Sequence, residues 1–190
     1  MLRSVKTFEI RKAGPQDAGL LSVLAAATFY EAYFEQDDPH DLAEYIINSF
    51  EPALMTEQIS APDSVFFIAF ADGRAVGYAK LIDNSREPCI RASNTIELKR
   101  IYIVERIWRN GMGESLLKHC IETARLMGKD SIWLGVWQLN SRARPFYQKH
   151  GFVKVGTLEF PYGDSVGIND VLEFEIRAQP LSGNGKTPEV

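Results

Sequence analysis

Thr95-Ile96-Glu97-Leu98-Lys99-Arg100-Ile101-Tyr102-Ile103-Val104 is an apolar-rich run of strand character, and the segments downstream of it decide the fold. The loop Glu105–Asn110 leads into Gly111-Met112-Gly113. Beyond the glycines, Met112, Leu116, Cys120, Ala124 and Met127 recur every three or four residues, as one face of a helix requires. Gly128-Lys129-Asp130 stops that helix. A second strand, Ser131–Trp137, comes next, then Asn140, and then a helical stretch Ser141–His150 ended by Gly151. Strand, glycine turn, helix, strand, helix is a βαβ-type unit.

A glycine turn that opens a helix suits an anion. The backbone can approach a ligand closely there, and the first helical N–H groups are unpaired at the positive end of the dipole. Phosphate or pyrophosphate is the ligand class this favours, and ordinary turn glycines are the structural alternative. The spacing is neither the dinucleotide-binding fingerprint nor a P-loop, since both require residues absent here.

Three parts of this stretch together resemble the GCN5-related N-acetyltransferase (GNAT) superfamily: Glu97-Leu98-Lys99-Arg100-Ile101-Tyr102-Ile103, the glycine turn, and Asn140 followed by Phe146-Tyr147-Gln148-Lys149-His150-Gly151-Phe152. The resemblance runs over roughly residues 8–177, with its specific motifs in 97–152. Ile132-Trp133-Leu134-Gly135-Val136-Trp137 with Tyr162-Gly163-Asp164 is similar to the PaiA-type branch, which acetylates polyamines. One position departs from the pattern. The superfamily carries Arg or Gln three residues before the first glycine; here that residue is Trp108, and Arg109 beside it is the substitute.

Composition bounds the alternatives. The chain has 190 residues, 45% of them hydrophobic, which suits one globular domain with a substantial core. Its 21 basic and 25 acidic residues leave a net charge of −4, so no generally basic nucleic-acid surface is indicated. No apolar run approaches the ~20 residues of a membrane helix, and Met1–Arg11 lacks the apolar core of a secretory signal. Cys89 and Cys120 do not make a disulfide framework. A cytoplasmic location follows by default.

Upstream, Phe8–Lys12 reads as a strand, and Pro15-Gln16-Asp17 starts a helix carrying Leu20, Leu21, Leu24, Thr28 and Tyr33. Asp38-Pro39 caps a second helix through Phe50, and Pro52–Ser60 forms a short third. Ser64–Ala71, Asp72-Gly73 and Arg74–Ile82 form a β-hairpin, followed by a polar loop, Asp83–Asn94. Val153–Phe160 and Ile168–Ile176 are the last strands, and Ala178–Val190 reads as a mobile tail after a single domain over 1–177. The fold class is α/β: a mixed, mostly antiparallel seven-stranded sheet with helices on both faces, as the resemblance implies.

Acetyl transfer to an amine needs a neutral nitrogen and a protonated leaving sulfur. An alkylamine of pKa ~10.4 is about 0.04% neutral at pH 7, a cost of roughly 4–5 kcal/mol without a base. The resemblance makes Glu97 the candidate base, acting through water, against the alternative of a strand-end glutamate in an ordinary salt bridge. It makes Tyr147 the general acid, since a phenol of pKa ~10 stays protonated at pH 7; the alternative is a core tyrosine. Acetyl-CoA, as co-substrate, would lie on Trp108, Arg109, Asn110, Gly111, Met112, Gly113, Glu114 and Ser115, along the backbone of Ile101, Tyr102 and Ile103, and near Asn140 and Tyr147. Asn140 also suits a helix cap. In the superfamily the first strand and Ser131–Trp137 splay apart, and a β-bulge turns an N–H toward the thioester.

Thr28–Asn48 carries Glu31, Glu35, Asp37, Asp38, Asp41 and Glu44 among Phe29, Tyr30, Tyr33 and Phe34. It is either a solvated acidic face or, as the resemblance implies, part of an acceptor pocket formed by Phe29, Tyr30, Glu31, Tyr33, Glu35 and Asp164. His40, His119 and His150 lack a metal spacing, so no metal is expected. The expected reaction moves acetyl from acetyl-CoA directly to a primary amine, a polyamine such as spermidine, in a ternary complex. A protein N-terminal or lysine acetyltransferase and a silent acyl-CoA-binding regulator are the alternatives. The partner is a small-molecule amine, with neither nucleic acid nor membrane, and a homodimer is compatible with this reading.

Overall fold

In a computed structural model, residues 7–162 and 165–176 are described. Asp164 and the tail 178–190 lie outside the described residues. The strands are β1 (Phe8–Lys12), β2 (Ser64–Ala71), β3 (Arg74–Asp83), β4 (Thr95–Ile103), β5 (Ser131–Trp137), β6 (Val153–Tyr162) and β7 (Ser165–Glu175). The helices are α1 (Ala18–Tyr33), α2 (Pro39–Phe50), α3 (Pro52–Ser60), α4 (Met112–Leu126) and α5 (Ala143–Lys149). The sheet order is β1-β2-β3-β4-β5-β7-β6. Every neighbouring pair is antiparallel except β4–β5, which is parallel. The mixed seven-stranded sheet expected from the sequence is therefore present.

Alternation along β2 shows how the faces are covered. Phe67 meets His119 of α4 edge-on at 4.6 Å. Its neighbour Phe66 points the other way, under Lys80, which bonds Gln58 of α3. Helices α1–α3 thus cover one face and α4 the other. On α1 the inward positions are Leu21, Leu24, Ala25, Thr28 and Phe29, whereas Leu20 is exposed. On α4 they are Met112, Leu116, Cys120 and Ala124, and Met127, beyond the last turn, is partly exposed.

Several boundaries differ from the sequence reading. A 3₁₀ turn, Pro15–Asp17, precedes α1. Helix α5 starts at Ala143 rather than Ser141, because Asn140 Oδ1 accepts the Ala143 N–H at 2.8 Å and holds Ser141 and Arg142 outside the helix. Strands β6 and β7 stay paired out to Tyr162 opposite Ser165, since a ladder needs only backbone partners. The polar loop 84–94 is not free of structure: Ile90 packs on Trp133 and Val171 as a small second core.

Candidate active site

The site begins where the sheet comes apart. Strands β4 and β5 pair only at Thr95–Ser131, Ile96–Ile132 and Glu97–Trp133. Past Glu97 they diverge, while β4 stays bound to β3 and β5 to β7. A gap therefore opens in the middle of the sheet. The Val104 N–H bonds Val76 O at 2.8 Å, so alternation turns the amide groups of Ile101 and Ile103 toward the gap. The Ile103 carbonyl is already taken, by Trp108 Nε1 at 2.7 Å. The bulge, which the sequence alone does not place, lies at Lys99: Lys80 opposes Arg100, and Leu81 opposes Leu98.

The glycine turn stands at the mouth of this gap. Gly111, at φ 81°, takes the left-handed conformation, and so does Arg109 at φ 65°. The first intrahelical bond of α4 runs from Ser115 N to Gly111 O, leaving the N–H groups of Met112, Gly113 and Glu114 without an acceptor in the helix. At Gly113 an added Cβ would meet only Ile103 Cγ1 at 3.9 Å and Phe146 Cζ at 4.0 Å. The fold alone does not require glycine there. The Glu114 carboxylate is drawn aside by Lys118 at 2.6 Å and by His150 at 3.7 Å, and Lys118 pulls its pKa down. Asn110 bonds the carbonyls of Ile107 and Trp108. Arg142 stacks over Trp108 at 4.0 Å. A guanidinium thus stands beside the turn even though Trp108 replaces the usual basic or amide residue; Arg142 was not legible as a partner from sequence, since it lies 34 positions away.

Tyr147 comes from α5. It is buried, with Phe146 and Phe152 against its ring at 5.3 and 5.7 Å. Burial pushes its phenol pKa well up, with Tyr33 on α1 and Cys120 on α4 adding to the effect. Those two neighbours belong to helices on opposite faces of the sheet. Glu97 stands at the last paired position before the strands part, on the α1–α3 face. It is 6% exposed; Oε2 accepts from Ser85 Oγ at 2.8 Å, and Oε1 meets Lys99 Nζ at 3.0 Å. The Ser85 carbonyl also accepts from Thr95 Oγ1 and Trp133 Nε1. The loop 84–94 therefore grips the base candidate, a role its composition did not announce.

On the α1–α3 face an aromatic wall lines the approach. Phe29 packs on Tyr33, Tyr45 and Tyr102 at 4.5–6.2 Å, and Tyr33 meets Trp137 at 6.4 Å. Of the acceptor residues expected from sequence, Phe29 and Tyr33 belong to this wall. Tyr30 does not: it is 55% exposed and stacks on Phe34. Glu31 accepts the Glu105 N–H at 2.9 Å, tying α1 to the segment after β4. Glu35 is exposed, beyond the end of α1. Of the two described carboxylates expected in the acceptor pocket, one is therefore tied to a backbone N–H and the other faces solvent.

Residues 25–152 match the model of the acetyltransferase (GNAT) family. The chain belongs to that family. It is thereby an acyltransferase. An uncharacterized N-acetyltransferase of Mycobacterium bovis is 33% identical over 147 residues, covering 77% of this chain and 90% of that one. Another, from Lactobacillus delbrueckii subsp. lactis, is 27% identical over 157 residues, covering 82% and 90%. Among solved structures, the PaiA N-acetyltransferase of Thermoplasma acidophilum in complex with coenzyme A superposes with a TM-score of 0.72. It is 22% identical, over 90% of this chain and 100% of that one, and it shares the GNAT fold.

Proposed function

We propose that this GNAT protein transfers acetyl from acetyl-CoA to a primary amine, and one observation carries the reading. In this reading the unpaired N-terminus of α4 and the parting of β4 from β5 form one binding opening, with Glu97 at the last paired position and Tyr147 supplied from α5. The residues around the turn and the gap suit the co-substrate. Free helix N–H groups suit a pyrophosphate, the open space at Gly113 leaves room for it, and the unpaired strand edges suit an extended amide arm. When bound, the co-substrate supplies an activated acyl group as a thioester. The chain's own residues do the rest. The amides of Met112, Gly113 and Glu114 hold phosphate, and Ile101 orients the arm through its backbone. Glu97 takes the amine's proton through water, and Tyr147 holds a proton ready for the departing sulfur.

The PaiA-type resemblance singles out a polyamine as acceptor, and the solved PaiA protein is a structural neighbour. That acceptor would rely on Glu31, Glu35 and Asp164. Glu31 is already engaged with the Glu105 N–H, so what remains is a loose, solvent-screened field, in which each exposed pair contributes only ~0.2–1 kcal/mol. The reading supported best is thus primary-amine acetylation, with spermidine as one arm of its test. Thiol release from acetyl-CoA is measured against monoamines, diamines, spermidine, amino acids and a peptide N-terminus, with the wild type and Tyr147→Phe. Turnover of at least one small amine, lost in the variant, is the expected result. Turnover of the peptide alone would make it a protein acetyltransferase, and none at all would make it an acyl-CoA-binding regulator.

A further inference from the structure

On the α1–α3 face, Lys80 and Arg100 form no ion pair with any described carboxylate, although the charges of Glu97 and Asp63 reach Lys80 from farther off. Lys80 is 9% exposed, on a strand otherwise apolar at that depth. Arg100 lies directly across from it in the β3–β4 register. Like charges directly opposite one another on a sheet are destabilising, and burial adds to the cost. Burial first, then Arg100 and Lys99, pull the Lys80 pKa down to about 8, so the ammonium is still mostly charged at pH 7. Among the described residues no carboxylate comes within 4.0 Å of either group. Glu97 is committed to Lys99 and Ser85. What the two cations share is one neutral oxygen, Gln58 Oε1, at 2.9 Å from Lys80 Nζ and 3.4 Å from Arg100 Nη1. Phe66 and Phe50 flank them, with ring centres at 5.3 and 4.8 Å.

We propose that Lys80 and Arg100, bridged by Gln58, form an anion subsite that binds a carboxylate on the acceptor amine. Their place in the sheet sets the spacing. Glu97 opposes Ile82, two residues along β3 from Lys80, which is about 7 Å at the rise of a strand. Ile82, Lys80 and Tyr78 share one face, the face of the aromatic wall. An amine whose nitrogen lies at Glu97 therefore reaches the cations with a group several bonds away, as in an ω-amino carboxylate. A polyamine in the same place would bring a second ammonium onto Lys80 and Arg100. This inference rests on the proposed amine acetylation for the position of the nitrogen, but the subsite itself does not.

The test pairs binding with turnover. Calorimetric titrations of 5-aminopentanoate, pentylamine and spermidine are run on the wild type, Lys80→Met and Arg100→Gln, alongside thiol release from acetyl-CoA. The expected result is 5-aminopentanoate bound at least about 10-fold tighter than pentylamine. Each variant should lose most of that advantage and bind pentylamine unchanged. Lys80→Met should melt at the same or a higher temperature, because a buried like charge has gone; a purely structural lysine would give a lower one. Equal binding of the acid and the monoamine, tighter binding of spermidine, or no binding of 5-aminopentanoate would overturn the subsite. So would variants that weaken both probes alike. Binding that depends on both cations, with no thiol released for any amine, would sustain the subsite and overturn amine acetylation.

Discussion

At the scale of single residues, Tyr147 and Glu97 differ in how the protein holds them, and this separates their expected behaviour. The Tyr147 phenol is buried among apolar neighbours that push its pKa up, so it remains a proton donor across the working pH range. Tyr147→Phe should lower kcat by about 10²-fold or more and leave acetyl-CoA affinity nearly unchanged, as read from initial rates and a titration. The wild-type kcat should show no alkaline fall from this group below about pH 10. Glu97 is gripped by Ser85 and Lys99 at the end of the gap. The loss in Glu97→Gln should shrink as pH rises, because the free amine then deprotonates without help; a pH-independent loss would make Glu97 a positioning group. Asp17 illustrates a charge that serves the fold. Arg11 at 2.7 Å and the Gly14 N–H lower its pKa to about 2. A depressed carboxylate stabilises above its unfolded pKa near ~4, and that stabilisation is lost as pH falls from there through about 2. Allowing for the partly open Arg11, Asp17→Asn should cost about 1–2 kcal/mol at pH 7 in denaturant unfolding, and much less at pH 2.5.

At the scale of elements, the two glycines of the turn before α4 have separable duties. Gly111 stands at φ 81°, where a side chain strains the backbone; Gly111→Ala should cost about 1–2 kcal/mol of stability whether or not ligand is present. Gly113 sits inside the helix with open space above it. Gly113→Ala should leave the fold as stable or up to ~1 kcal/mol more so, while the thermal shift given by acetyl-CoA falls. Gly113→Asp should remove most of that shift, because it brings a negative charge to the same place. Loss of the shift in Gly111→Ala alone would move the phosphate site off the helix N-terminus. These elements were legible in the sequence because their signals are local: the alternation of the strands, the Asp72-Gly73 turn, the spacing of Met112, Leu116, Cys120 and Ala124. The bulge at Lys99, the grip of Ser85 on Glu97 and the opposition of Lys80 and Arg100 were not legible. Each depends on a pairing between distant segments, and periodicity along one segment carries no register. The engagement of Glu31 was hidden for the same reason, since nothing local announces that it bonds a backbone N–H 74 residues away.

At the scale of the whole molecule, the parted sheet offers two ways into one opening. The turn before α4 and helix α5 border the gap on one side, and the aromatic wall of α1, α2 and β4 borders it on the other. On the proposed function the two substrates would enter from these two sides, and the kinetic order follows from where the thiols lie. A relay through an acyl-enzyme would need a reactive cysteine in the gap. Cys120 is fully buried on α4, and burial pushes its thiol pKa far up, opposite to what a nucleophile requires. Cys89 packs with Ile90 and Trp133 under the 84–94 loop. Initial-rate plots with both substrates varied should therefore intersect, as direct attack in a ternary complex demands, and Cys120→Ala should retain turnover close to the parent. A parallel pattern with an acetyl group trapped on Cys120 or Cys89 would establish the covalent route, and Tyr147 would then serve a different step.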